Sequence, residues 1–163
     1  MKKWNQRSII DASILNPAFC SILLYCTIKE HNNASNKPGF DYPLIYIVLP
    51  LLLSTKTLET FPKTIATKLL NWCIVNEHLL IEFPNRVKEL KEYTNEALMF
   101  SISRKHIILN SDGSLEANPS ISFRKVPLSP ENKFLMKQAR FLGKWLHRAG
   151  DTATIFSLLK LRP

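Results

Sequence analysis

The sequence predicts a mainly α (α+β) fold: a helical domain with a winged-helix-like centre and one β-hairpin. Three observations carry this. Apolar residues recur at helical spacing along most of the chain. Asp112-Gly113 stands between two short β-capable runs as a hairpin signal, and three short helical segments directly precede it. With 163 residues and 45% hydrophobic content the chain can bury one core without disulfides or metal. Residues 1–163 therefore read as a single domain, its winged-helix-like part at about 60–120 and its basic C-terminal helices at about 129–163.

The elements follow in order. "NPAFCSILLYCTIKEHNN" sets Phe19, Ile22, Leu23, Cys26 and Ile28 at helical spacing, with Asn16 as N-cap and Pro17 at the first helical position. "HNNASNKPGFDYP" is a surface loop, rich in Asn, Ser, Gly and Pro. "YPLIYIVLPLLL", from Tyr42 to Leu53, then holds ten apolar residues, two prolines and no charge. Twelve helical residues reach about 18 Å, whereas a membrane core is about 30 Å thick, so membrane crossing is not expected. Pro43 suits a first turn, and Pro50 is expected to bend the helix or end it near Leu49. A helix apolar on every face must be surrounded by protein. It is the centre of the core, or an element partly covered by another subunit.

Thr60 is the expected cap of a helix with Pro62 in its first turn, Ile65, Leu69, Trp72 and Cys73 on its buried face and an end near Asn76. Pro84 opens a second, with Val87 and Leu90, and Thr94 caps a third, with Ala97, Leu98 and Ile102. The hairpin comes next, pairing Ile107 to Asn110 with Ser114 to Ala117. A winged helix-turn-helix has this order, with the hairpin as wing; so does an α-rich domain with an incidental hairpin. After "SISFRKVPLSP", Ser129 and Pro130 open a long helix to Ala149, whose apolar side carries Phe134, Leu135, Phe141, Leu142, Trp145 and Leu146. Gly150 ends it, and "ATIFSLLKLRP" forms the last helix.

Charge is strongly local. The chain has 22 Lys and Arg against 13 Asp and Glu, a net +9, and residues 120–163 hold nine of those basic residues with two acidic ones, +7 of the total. Within that region Lys133, Lys137, Arg140, Lys144 and Arg148 follow at steps of four, three, four and four, stacking five cations on one helix face. Such a face is either a solvated surface or a contact for DNA phosphates or for an acidic partner.

Reactive constellations are not legible. Four glycines, Gly39, Gly113, Gly143 and Gly150, cannot build a phosphate-cradling loop. His31, His78, His106 and His147 have no metal-ligand spacing, and no nucleophile sits in a Gly-flanked turn. Neither a cofactor nor a metal is expected. Cys20, Cys26 and Cys73 are odd in number, lack CxxC spacing and read as reduced core thiols of a cytoplasmic protein. The start, "MKKWNQRSIIDASIL", lacks the continuous apolar region and cleavage site of a signal peptide.

"NPAF", "YPLIYIVLPLLL", "YTNEALMFS" and "GKWLHRAGDTATIFSLLKLRP", in this order from Asn16 to Pro163, resemble the middle components of three-component ABC-type ATPase systems (ABC-3C), which include the small subunit of Lamassu-type anti-phage defence. The chain departs from this pattern at Lys160, where the family ending more often has Gly. The resemblance implies a non-enzymatic accessory subunit. It would bind an SMC-like or Rad50-like ATPase and link it to an effector, often a nuclease, with DNA held by the ATPase as a further contact and no membrane involved. The family brings no catalytic residues to carry over. Lys133, Lys137, Arg140, Lys144 and Arg148 are the candidates for DNA or an acidic partner. Ile155, Phe156, Leu159, Leu161 and Arg162 are those for protein contact, since "TIFSLLKLRP" is more apolar than a free terminus needs, although a terminal helix docked on its own core would look the same. The rival reading is an autonomous winged-helix DNA-binding regulator. Against it, the recognition segment Asn95 to Arg104 is mostly apolar and offers few groups to base edges.

Overall fold

Asn16 and Pro17 start the first helix as their chemistry dictates: the Asn16 side chain accepts the Ala18 N–H at 2.8 Å, and the proline occupies a position whose N–H has no partner to lose. The computed structural model describes residues 15–35, 39–123 and 126–161. Among them the helices are α1 (Pro17–Ala34), α2 (Ile45–Leu52), α3 (Thr55–Glu59), α4 (Leu69–Val75), α5 (Glu77–Leu80), α6 (Phe83–Ser103), α7 (Pro130–Ala149) and α8 (Thr152–Leu158). The strands are β1 (Phe40–Asp41), β2 (Ile107–Leu109) and β3 (Ser114–Ala117). The fold is mainly α with a small antiparallel sheet of order β1-β3-β2.

α1 is the axis of the molecule. Its residues from Phe19 to Ile28 are all buried, because α7 packs along one side, α6 along another, and β3 and β1 close the end. Each fully buried Leu or Ile here contributes about 1.5–3 kcal/mol. Thr27, in the middle of this helix, removes its hydroxyl from the apolar surroundings by donating to the Leu23 carbonyl at 3.0 Å.

The α1–α7 contact is unusually close at Gly143, where an added Cβ would lie 2.1 Å from the carbonyl oxygen of Thr27. The apolar run folds as a 3₁₀ turn (Tyr42–Leu44) followed by α2, in which Ile45, Ile47, Val48, Leu49, Leu51 and Leu52 are fully buried. It is a core element, as its lack of charge requires. Pro50 does not end it near Leu49; the helix closes at Leu52, and the Leu53 N–H returns to the Leu49 carbonyl at 2.8 Å.

Two boundaries differ from the sequence reading. Thr60 does not cap a helix to Asn76. It ends α3, which Ser54 caps, and residues 61–68 are irregular. The carbonyls of this region are used by tryptophans instead: Trp72 Nε1 donates to Thr60 O at 2.9 Å and Trp145 Nε1 to Thr67 O at 2.7 Å. With Phe61 and Phe141 the two indoles form an aromatic cluster, ring centroids 5.6 Å apart between Trp72 and Trp145.

The second difference is at Thr94, which does not start a new helix. It is buried in the middle of a continuous 21-residue α6 and donates to the Leu90 carbonyl at 2.9 Å. A hydroxyl already bonded backward cannot cap forward, so the three-helix order behind the winged-helix expectation is replaced by two short helices and one long one.

The hairpin forms where Asp112-Gly113 demands it, with Leu109 opposite Leu115 and Ile107 opposite Ala117. Asp112 Oδ1 accepts the Ser114 N–H at 2.9 Å, and Gly113 takes the left-handed backbone (φ +82°). β1, only two residues long, was hidden in the Asn- and Ser-rich loop; Phe40 is buried and pairs with Leu115.

Candidate functional site

A groove of about 990 Å³ lies between the first turn of the apolar run, the N-terminal half of α6 and α8. Its floor is Tyr42, Tyr46 and Ile47; Val87, Lys88 and Lys91 form one wall, and Thr152, Ala153, Phe156 and Ser157 the other, with Leu161 at one end. The Tyr46 hydroxyl donates to Asn95 Oδ1 at 2.9 Å and is 3.1 Å from the Tyr42 hydroxyl, so this pair is bonded within the protein and the rings present apolar surface. Burial, followed by the Tyr42 contact, pushes the Tyr46 phenol up to about 12.

Leu161 reaches this groove through a backbone device. Lys160 adopts φ +57°, and its turn returns the Leu161 N–H to the Phe156 carbonyl at 2.9 Å, closing α8 and laying Leu161 against the groove. Glycine fills such a position at lower cost, which accounts for the Gly that the family resemblance leads one to expect here. The Lys160 ammonium meets Glu77 Oε1 at 2.5 Å and holds that carboxyl below its usual range.

Of the candidates for protein contact, Ile155 and Leu159 are fully buried in the chain's own core and offer no surface. Phe156 and Leu161 are partly exposed and line the groove. Arg162 lies outside the described residues. Helical spacing explains the split: 155 and 159 share one face of α8, and 156 lies about 100° away.

The five cations Lys133, Lys137, Arg140, Lys144 and Arg148 are brought to one exposed face of α7, with Ala139, Leu142 and Leu146 buried on the far side. Lys144 pairs with Glu30, which α1 supplies 3.3 Å away. Arg140 stands over a cleft of about 180 Å³ that also holds Lys29, a cation the sequence reading left out. Lys29 donates to the Tyr25 hydroxyl at 3.0 Å and to the Ile121 carbonyl at 3.3 Å. Burial pushes the adjacent Cys26 thiol up, and the Arg140 guanidinium partly offsets this. Cys20 is pushed up to about 12, mainly by burial, and Cys73 to about 11. All three are buried free thiols, which makes them poor nucleophiles.

Phe134, expected on the apolar side of α7, is 48% exposed, because it lies at the border of the cationic face. α4 also leaves apolar surface uncovered, with Ile74 66% and Val75 77% exposed. The groove was missed because the whole run from Tyr42 to Leu53 reads as core. The available signal was two tyrosines at i, i+4 in an otherwise aliphatic run, together with Lys88 and Lys91 at i, i+3.

No helix among the described residues is long and apolar enough to cross a membrane, and among them no group of three His, Cys, Asp or Glu is placed to hold a metal ion. Comparison with curated proteins gives no match, and none is found among solved structures. A family model does match, over residues 4–163, essentially the whole length. On that match the chain belongs to the ABC-three component (ABC-3C) system Middle Component 3 family.

Proposed function

We propose that this chain is a non-enzymatic, cytoplasmic bridging subunit of an SMC-like ABC ATPase complex of the Lamassu anti-phage type. It joins the ATPase to an effector nuclease. The observation that carries the reading is the groove of about 990 Å³, which Leu161, turned back through Lys160, helps to wall. A separate cationic surface on α7 supports it, since bridging requires two surfaces of different chemistry. The groove takes a protein subunit, and the α7 face takes an acidic ATPase surface or the backbone of DNA that the ATPase holds.

The rival, an autonomous winged-helix regulator, is disfavoured by charge. The hairpin that would act as a wing carries Asp112 and Glu116 and no Lys or Arg from Ile107 to Ala117, so it would meet phosphates with the wrong sign.

Co-expression of the full chain with the ATPase and effector encoded beside it, followed by affinity purification through this chain, tests the reading. Both subunits should co-purify, and the isolated chain should bind duplex DNA weakly and without sequence preference. Retention of neither subunit, or preference of the isolated chain for one duplex by about a thousand-fold, would refute it.

A further inference from the structure

The groove also carries information about its occupant. We infer that it receives an acidic amphipathic helix of the partner subunit; this rests on the bridging role proposed above.

Shape excludes an added strand. The walls are α6 and α8, and none of the three strands lines the groove, so no sheet edge is available for strand pairing. From Val87 to Lys91 and from Thr152 to Ser157 the walls run for about 6–8 Å at about 1.5 Å per residue, enough for apolar residues at i and i+3 or i+4 of an inserted helix. Tyr42, Tyr46, Phe156 and Leu161, all partly exposed, supply the apolar contact.

Charge fixes its orientation. Lys88 and Lys91 stand one turn apart on the α6 wall, both exposed, and among the described residues neither forms an ion pair. The α8 wall from Thr152 to Ser157 has no charged residue. Carboxylates of the occupant therefore face α6, and its neutral flank faces α8.

The test uses the full chain co-expressed with its system's subunits. Ala153→Trp fills the groove from an exposed position without touching the core or the charge, and Lys88→Glu with Lys91→Glu reverses the rim. Both variants should fold, and both should lower retention of one subunit, the reversal by about ten-fold or more at low salt. Raising salt from about 50 to about 500 mM should weaken the wild-type complex. Zero-length carbodiimide coupling should join Lys88 or Lys91 to carboxylates of one helical segment of that subunit.

Loss with Ala153→Trp but full retention after charge reversal would overturn the acidic helix and leave the bridging role standing. Full retention in both variants would overturn the groove as a docking site. Coupling between two copies of this chain would assign the groove to self-association and overturn the inference as well.

Discussion

Substituting Gly143 by Ala tests the close crossing of α1 and α7. The new Cβ would sit 2.1 Å from the Thr27 carbonyl oxygen, with the Thr27 carbon and the His31 nitrogen each at 3.0 Å. These are backbone atoms of α1, so no side chain can swing aside. Reaching an ordinary 3.4 Å contact requires α1 and α7 to part by about 1.3 Å. That separation loosens Leu23, Leu24, Ile28, Leu142 and Leu146, all fully buried, and a radial gap of this size forfeits about half of their dispersion attraction or more. Ala recovers about 1 kcal/mol of helix propensity. Overpacking against backbone outweighs it, and the net cost is about 3 kcal/mol. At about 2–4 °C per kcal/mol for a chain of this size, Tm falls by about 6–12 °C. Thermal and urea unfolding followed by circular dichroism measure this. A Tm unchanged or raised, as propensity alone would give, refutes the close crossing of α1 and α7.

Three further outcomes are expected. Lys160→Gly relieves a left-handed lysine and should raise stability by about 0.5–1 kcal/mol, since the exposed contact to Glu77 that it removes contributes little; a lower midpoint in urea would contradict this. His31, at the end of α1, is held down to about 4 by burial and then by His147, with Phe40 against its ring and Asp41 opposing the shift. The unfolded chain thus binds the proton first as pH falls below about 6.5. Stability should decrease from about pH 6.5 to about pH 4, by about 1–2 kcal/mol because His31 is only partly shielded, and His31→Gln should flatten that part of the profile. Reversing Lys137, Arg140 and Lys144 to Glu should leave the circular dichroism spectrum intact and weaken association with the ATPase or its DNA. For DNA the log–log salt slope should shrink by roughly 0.9 for each phosphate that is no longer neutralised; undiminished association would leave α7 a merely solvated face.

Local chemistry sufficed for much of this molecule. Asn16-Pro17, Ser129-Pro130 and Gly150 set the ends of α1 and α7, and Asp112-Gly113 set the hairpin, because each acts on backbone groups within a few residues of itself. The spacing of five cations placed them on one face for the same reason: helical periodicity needs no neighbour. The whole-length family resemblance was legible too.

Tertiary packing decided the rest. Thr94 became the interior of α6, and the carbonyls of Thr60 and Thr67 were taken by two tryptophans, one of them 78 residues distant. Glu30 found Lys144 only because α1 lies against α7. The groove belongs wholly to this second class. Its three walls come from residues near 45, 90 and 155, and whether an apolar side chain there is core or docking surface depends on which other elements cover it, a property no local pattern encodes.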